Sequence, residues 1–297
     1  MASSHPRPRQ TSPSTHHRDH HHLPTGTDYL DSPPRISSPV PLSAGTRIFG
    51  HMPPLPPPSR SVIAYLEPGR PRSLSGVALR AFCLGAAFSA GLLLTVLVLA
   101  CTPSPAWRVP FFLLALSAFH FLEFWVTARR NTPVATTDSF LLTANWPAYA
   151  VAHAAAFAEC AFVSVFFPTR RWGGVGSLCL GLGLVLVVLG QTVRSAAMLH
   201  AGASFNHQIQ YNKADSHVLV TSGVYGWMRH PSYFGFFYWG LGTQLVLGNV
   251  VCFFAYAVVL WYFFSRRIRV EEVKLVEFFK DDYVQYRKRV GTWIPFV

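Results

Sequence analysis

The sequence contains few charged residues for its length. Asp, Glu, Lys and Arg make up 13% of the 297 residues, whereas residues with hydrophobic side chains make up 51%. Soluble globular domains carry about 25% charged residues. The shortage of charge therefore excludes an ordinary soluble domain and indicates a protein that is embedded in a membrane.

The sequence also lacks paired cysteine motifs. Its five cysteines are an odd number, lie in or beside apolar runs and form no Cys-x-x-Cys pair; they are Cys83, Cys101, Cys160, Cys179 and Cys252. This distribution excludes a disulfide framework and a zinc site built on cysteines. We expect the cysteines to be small buried residues, and we predict no metal.

Acidic residues are scarcer than basic ones, with 13 Asp and Glu against 25 Lys and Arg, which gives a net charge of +12. Such an excess can indicate a nucleic-acid partner. The basic residues, however, are dispersed over the N-terminal tail, the loops and the C-terminus. This dispersion is typical of loops that flank membrane spans, and we predict no nucleic-acid partner.

The N-terminal tail, residues 1–75, is rich in Pro, Ser, His and Arg and has no apolar periodicity. A segment of this composition cannot bury enough apolar surface to offset the entropy of ordering, so we predict that it is disordered. The first apolar run begins far from Met1, and no signal peptide is predicted. Residues 76–297 are predicted to form one membrane-embedded domain.

Long apolar runs organise this domain. Runs long enough to cross a bilayer cover residues 81–107, 109–128, 139–167 and 172–193. A further charge-free run, 231–265, contains the turn signal Gly248-Asn249 and predicts a helical hairpin that enters and leaves by one face. A charged amphipathic helix is predicted from about residue 266 to 289. The predicted class is an all-α polytopic membrane protein with about four spans and a C-terminal hairpin.

Small and ionisable residues occur within the predicted spans. The glycines of the fourth span, including Gly181 and Gly183, would let a neighbouring helix approach closely. Glu123, His153 and Glu159 are ionisable groups inside spans. We expect each of these three to be satisfied by a partner across the bundle and do not assign catalysis to them.

The distribution of Lys and Arg predicts the topology. Arg80 precedes the first span, and Arg129 and Arg130 follow the second, which places these flanks on the cytosolic side. The same count returns the polar segment before the hairpin to the cytosolic side. Arg170 and Arg171 conflict with this topology, because they fall in a loop that it makes lumenal.

Residues 217–235, HVLVTSGVYGWMRHPSYFG, form a polar and aromatic stretch between two apolar runs. Ionisable groups at a membrane edge are a functional-site hypothesis, although a loop that only fixes topology is the alternative. Arg267 and Glu271 are spaced i and i+4, so that they share one face of the last helix. Their alternative interpretation is an ordinary surface ion pair. Arg194, at the end of the fourth span, could join the same cluster.

These residues resemble those of the isoprenylcysteine carboxyl methyltransferases. The resemblance covers about residues 75–297 and rests on GVYGWMRHPSYFG (223–235), RIRVEE (267–272), FNHQIQ (205–210) and GTWIPF (291–296). It implies an integral endoplasmic-reticulum enzyme with a cytosolic cofactor pocket, which methylates the C-terminal prenylcysteine of CaaX-processed proteins. Ras- or Rho-like GTPases and lipidated pheromone-type peptides are the implied partners, beside membrane lipid.

The resemblance also implies the roles of individual residues. Arg267 would meet the substrate carboxylate, with Arg194 as a helper. S-adenosylmethionine would be held by Gln210, His217, Val218, Leu219, Val220, Tyr225, His230, Pro231, Ser232, Tyr233 and Glu271. A carboxylate nucleophile is ionised at neutral pH and needs no general base. The planar fork of an arginine suits a two-point contact with it.

Three other functions remain open at this stage. A phospholipid N-methyltransferase would use the same cofactor but an amine nucleophile, for which Arg267 is a poor partner. A membrane sterol reductase would require further basic residues for the 2′-phosphate of NADPH. A non-catalytic membrane scaffold would only display the proline-rich tail.

Overall fold

The computed structural model describes residues 64–167 and 173–297. The Arg170-Arg171 loop and residues 1–63 of the tail predicted to be disordered (1–75) lie outside the described residues. Residues 64–75 are described and include a helical turn at 64–66 and the first residues of α1. Within the two described ranges the regular structure is helical, without a β-strand. The six long helices are α1 (Leu74–Cys101), α2 (Arg108–Arg130), α3 (Ala148–Phe166), α4 (Gly173–Ala201), α5 (Pro231–Leu247) and α6 (Val251–Arg289).

Most of these helices are long and apolar enough to cross a membrane. The candidate spans are Leu74–Cys101, Pro105–Arg130, Ala148–Phe166, Gly174–Ser204 and Val251–Arg289. Many large apolar side chains on their outer faces are exposed, for example Leu93 and Val96 on α1. A helix that exposes such a surface requires lipid around it. The prediction of an all-α polytopic membrane protein is confirmed.

Helices α5 and α6 form the predicted hairpin. Gly248 ends α5 in the left-handed conformation (φ 72°), which glycine adopts without a steric penalty. The side-chain amide of Asn249 donates to Gln244 Oε1 at 2.9 Å and to the carbonyl of Ala156 on α3 at 3.0 Å. The turn is therefore fixed from both the hairpin and the neighbouring helix.

The second arm of the hairpin does not end at residue 265. It continues as a helix through the charged segment as far as a kink at Lys280, where the backbone is not helical (φ 50°), and a second helical segment then runs to Arg289; we refer to both as α6. Residues 262–272 contain neither Gly nor Pro, so nothing in their backbone stops the helix. The amphipathic helix expected from residue 266 is thus the extension of the membrane arm beyond the bundle.

Glycines allow α4 and α5 to pack with their backbones in close approach. A Cβ placed on Gly183 would lie 2.9 Å from the carbonyl oxygen of Gly242. A Cβ on Gly235 would lie 2.5 Å from the carbonyl oxygen of Gly190 and 2.7 Å from the nitrogen of Arg194. The expectation for Gly183 is confirmed, whereas Gly181 has no neighbour within 4 Å. The contact places Arg194 against the start of α5.

The ionisable groups inside the spans have partners across the bundle, as expected. Glu159 on α3 accepts the first backbone N–H groups of α6, from Val250 (2.7 Å), Val251 (2.9 Å) and Cys252 (2.7 Å). A carboxylate at a helix N-terminus satisfies orphan donors and complements the helix dipole. His153 Nδ1 lies 3.1 Å from the hydroxyl of Tyr256.

The expectation that all five cysteines are buried is wrong for two of them. Cys160 and Cys252 are buried, and Cys179 is half-buried, but Cys83 and Cys101 are exposed. Both exposed thiols lie on α1, which contacts the bundle mainly through α2 and leaves most of its surface to lipid. All five thiols are free.

Gly235→Ala is expected to destabilise the protein by about 1–3 kcal/mol, because the added methyl group collides with the backbone of α4. The matched control is Gly181→Ala, where the methyl group meets open space and removes the helix penalty of glycine. Thermal unfolding of the two variants in detergent measures the difference. Equal melting temperatures would contradict the close-packing interpretation.

Candidate active site

The segment between α4 and α5, residues 202–230, folds over the ends of α4, α5 and α6 and encloses a cavity of about 640 Å³. We call it the first cavity. Its walls are Ala201, Ser204, Phe205, Asn206, His217, Val218, Leu219, Val220, Tyr225, Arg229, His230, Pro231, Ser232, Tyr233, Glu271, Leu275, Phe279, Tyr283 and Tyr286.

Ten of the eleven residues predicted to hold a cofactor line the first cavity; they are His217, Val218, Leu219, Val220, Tyr225, His230, Pro231, Ser232, Tyr233 and Glu271. Gln210 is the exception. It does not line this cavity, and its side-chain amide donates to the carbonyl of Gln208 at 3.0 Å.

Several wall residues were not predicted from the sequence. Leu275 and Phe279 follow Glu271 at intervals of four residues, so all three share one face of α6. The same spacing, extended along the sequence from Glu271, predicts both positions. Ser204, Phe205 and their neighbours come from an irregular loop whose course no periodicity predicts.

A second cavity of about 470 Å³ lies on the other side of Tyr233. Phe205, Asn206 and Tyr233 border both cavities. The other walls of the second cavity are Leu141, Asn145, Tyr149, Arg194, His207, Phe236, Phe263, Phe264 and Arg267. It is a largely apolar and aromatic chamber with two arginines at one side.

The hydroxyl of Tyr233 joins Arg267 and Glu271. Arg267 Nε donates to this hydroxyl at 2.8 Å, and the hydroxyl donates to Glu271 Oε2. Arg267 Nη2 also donates to the carbonyl of His207. The alternative of an ordinary surface ion pair is therefore wrong, since a half-buried tyrosine lies between the two charges. Arg267 lines the second cavity and Glu271 lines the first.

Arg194 also lines the second cavity, but its guanidinium already has partners. Nε and Nη2 donate to the two oxygens of Glu123 on α2, and Nη1 donates to the carbonyl of Ser232 at 2.9 Å. The side chains of Glu123 and Arg194 are 1% and 5% exposed. The helper role of Arg194 toward a substrate stays a prediction.

His207 and His217 of the loop are neutral near pH 7, because the pKa of each is lowered. Burial lowers the pKa of His207 to about 4, although the nearby Glu123 carboxylate opposes the shift. Burial also lowers the pKa of His217 below its ordinary value. Arg194 and Arg267 are therefore the charged side chains that border the second cavity.

Glu272 forms ion pairs that stabilise the C-terminal segment beside the first cavity. Its carboxylate accepts from Arg229 Nε at 2.8 Å and lies 3.3 Å from His230 Nε2 and 3.6 Å from Arg287 Nη1. The ring of His230 stacks on that of Tyr233 with an interplanar angle of 4°. The backbone N–H of Arg229 donates to the carbonyl of Gly291 at 2.9 Å. These contacts fix the orientation of the 230–233 segment.

The arrangement suits the transfer of a chemical group from a molecule bound in one cavity to a molecule bound in the other. The first cavity presents the Glu271 carboxylate beside Arg229, whose charge Glu272 offsets, and the second cavity presents Arg194 and Arg267. Tyr233 lies between Glu271 and Arg267. Among residues 64–167 and 173–297, no group of three His, Cys, Asp or Glu side chains could hold a metal ion.

This part of the chain is similar in sequence to known proteins. The family model described as isoprenylcysteine carboxyl methyltransferase (ICMT) matches residues 182–277, which include Arg194, Tyr233, Arg267 and Glu271. A protein-S-isoprenylcysteine O-methyltransferase from Saccharomyces cerevisiae is 48% identical over 189 residues, or 63% of this chain and 79% of the yeast protein. The Homo sapiens protein of the same name is 41% identical over 225 residues, or 74% and 75%.

A solved structure gives the same likeness at the level of the fold. It is described as the eukaryotic intramembrane Ras methyltransferase ICMT (isoprenylcysteine carboxyl methyltransferase) without a monobody. The similarity has a TM-score of 0.67 at 37% sequence identity and covers 75% of this chain and 77% of that chain.

Glu272→Gln is expected to lower stability by about 1–3 kcal/mol, because it removes a charge that three cationic or polar partners share. The control is Glu277→Gln, whose carboxylate forms an exposed pair with Lys274, for which little or no change in stability is expected. Chemical unfolding and limited proteolysis of the C-terminal segment compare the two. If the Glu272 variant is as stable as the Glu277 variant, Glu272 does not stabilise the C-terminal segment.

Proposed function

The chain belongs to the isoprenylcysteine carboxyl methyltransferase family, and from this premise we propose that it methylates the C-terminal isoprenylcysteine carboxylate of prenylated proteins with S-adenosylmethionine as donor. The observation that carries the proposal is the pair of cavities that meet at Tyr233. One of them offers an acidic group to a cation, and the other offers basic groups to an anion.

The residues of the first cavity fit S-adenosylmethionine. Glu271 would face the cationic part of the molecule, while Tyr225 and Phe279 provide aromatic surface. Residues 217–220 form neither helix nor strand. The N–H groups of His217 and Val218 donate to Ala214 and Ser204, so the backbone groups of Leu219 and Val220 would pair with the edge of an adenine. When bound, S-adenosylmethionine supplies an electrophilic methyl group. Gln210 stays a predicted contact, which requires the loop to move.

The residues of the second cavity fit a prenylcysteine. Arg267 would hold the carboxylate in a two-point contact, with Arg194 as the helper. Phe236, Phe263 and Phe264 give the prenyl chain an apolar wall, and Phe263 is itself exposed at the outer surface of α6. A lipid substrate can thus enter from the bilayer while the soluble donor enters from the aqueous side.

The chemistry requires orientation more than acid-base catalysis. A C-terminal carboxylate has a pKa of about 3.3–3.7 and is already a nucleophile at neutral pH. Tyr233 and Arg267 fix where the carboxylate oxygen lies relative to the first cavity. Correct placement of two reactants can supply roughly 7–11 kcal/mol. The reaction removes two charges, because a carboxylate and a sulfonium become an ester and a thioether.

We further propose an endoplasmic-reticulum location with the first cavity open to the cytosol. The arginines that flank α1 and α2 support this side of the membrane. The substrates would be Ras- or Rho-like GTPases and lipidated pheromone-type peptides after CaaX processing. The two arginines beside the second cavity argue against an amine nucleophile and hence against phospholipid N-methylation.

Membranes that contain the protein, incubated with methyl-labelled S-adenosylmethionine and a farnesylcysteine analogue, test the proposed function. A base-labile methyl ester on the analogue is the expected product. Methylated phosphatidylethanolamine, or no transfer to either acceptor, would refute the proposal.

Arg267→Ala is expected to lower methyl transfer by about 10- to 100-fold or more, since a charge-assisted contact with the substrate is lost. Cofactor binding should largely survive, because Arg267 does not line the first cavity. Arg269→Ala, an exposed position on the same helix, is the control and should retain activity. A variant of Arg267 that loses cofactor affinity but keeps its turnover at saturation would reverse the assignment.

Tyr233→Phe removes only the hydroxyl that joins Arg267 to Glu271, and we expect activity to fall by about 10-fold or more. Tyr238→Phe serves as the control, because its hydroxyl donates to the carbonyl of Trp293 away from both cavities. Steady-state kinetics with the farnesylcysteine analogue compare the two. Equal rates for both variants would show that the bridge is dispensable.

A further inference from the structure

Glu123 is a buried carboxylate to which the reaction described above gives no part. It lies on α2, is 1% exposed, and borders neither cavity. Both of its oxygens accept hydrogen bonds from Arg194, which borders the second cavity. Glu123 therefore contacts, through Arg194, a cavity that would hold the substrate.

The position of Arg194 depends on this contact. Its guanidinium lies between the rings of Phe119 and Phe236, 5.4 and 5.1 Å from their centroids, and its third hydrogen bond goes to the Ser232 carbonyl. The two parallel hydrogen bonds to Glu123 fix one orientation of the planar Arg194 guanidinium among these neighbours.

Glu123 also contacts the loop between α4 and α5, and this loop forms a hydrogen bond with Arg267. The ring of His207 lies 3.6 Å from Glu123 Oε2 and 3.0 Å from the hydroxyl of Thr127. The carbonyl of His207 accepts a hydrogen bond from Arg267. One carboxylate thus contacts Arg194 directly and Arg267 through a single residue.

The charge of Glu123 matters for the nucleophile. Without it, two uncompensated guanidinium groups would surround one substrate carboxylate. They would stabilise the anion most strongly in the ground state, because the carboxylate loses its charge as the ester forms. Binding that is stronger before the transition state than in it lowers the rate of the chemical step.

We propose that Glu123 is a positioning residue that orients Arg194 and neutralises its charge, so that the pocket binds the carboxylate without suppressing its nucleophilicity. The inference rests on the proposed function, because it requires a carboxylate substrate in the second cavity. Glu123 would then affect turnover and not only serve as the buried counter-ion of Arg194.

The test is Glu123→Gln in the full-length protein. Dissociation constants are measured for a farnesylcysteine carboxylate and for its uncharged amide, together with kcat. We expect the carboxylate to bind about tenfold tighter, the amide to bind as before, and kcat to fall about tenfold, which is the scale of one charge-assisted hydrogen bond. Glu123→Asp keeps the charge and should retain the wild-type ratio of carboxylate to amide affinity.

The control is Glu159→Gln, which alters the other intramembrane glutamate far from the arginines and should leave this ratio unchanged. A Glu123→Gln variant that loses affinity for carboxylate and amide alike would overturn the proposal, since a purely structural role predicts that result. A wild-type protein that forms no methyl ester would refute the proposed function itself, which is a separate outcome.

Loss of one partner of a buried ion pair costs stability, so the double variant Glu123→Gln with Arg194→Gln is measured in parallel. Removal of both charges is tolerated far better than removal of one. With Arg267 alone facing the substrate, the ratio of carboxylate to amide affinity should fall about tenfold below wild type. An unchanged ratio would show that Arg194 does not act on the carboxylate, and the proposal would fail.

Discussion

An ionised group inside an apolar helical bundle must have a partner, and this requirement organises the structure. Glu159 satisfies it by capping the start of α6, which fixes the far end of the hairpin. Glu123 and Arg194 satisfy it by pairing between α2 and α4 at the other end. Arg194 also donates to the carbonyl of Ser232 at the start of α5, so polar contacts hold the hairpin at both ends, while glycine contacts hold α4 against α5 between them.

Much of the fold could be predicted, because it follows from local patterns. Apolar runs predict the spans, and Gly248-Asn249 predicts the hairpin turn. The stretch 217–235 contributes most of one cavity wall, since its polarity beside a membrane distinguishes it in the sequence. The continuity of α6 past residue 265 was missed because a change in polarity was interpreted as the end of a helix.

The contacts that define the site could not be predicted in the same way. Glu123 and Arg194 are 71 positions apart, and Tyr233 and Arg267 are 34 apart. No periodicity connects such pairs, because helix packing decides which faces meet. Gln210 is the opposite case: its motif was recognised, but its side chain does not line the first cavity, and its contact with a cofactor stays a prediction. Family resemblance supplied residue identities, whereas the geometry supplied their division between two cavities.

The division of charge between the cavities suits a reaction that starts with two ions and ends with none. Glu271 borders the first cavity and Arg267 the second, so in the proposed reaction each would attract a reactant of opposite sign to its own side of Tyr233. Glu123 offsets Arg194, which leaves these two groups as a balanced pair joined by one hydroxyl. When the reactants become neutral, the two protein charges still hold each other through Tyr233. Glu271, Arg194 and Arg267 would therefore each have a partner before and after the transfer, and the products have lost the two charges that react.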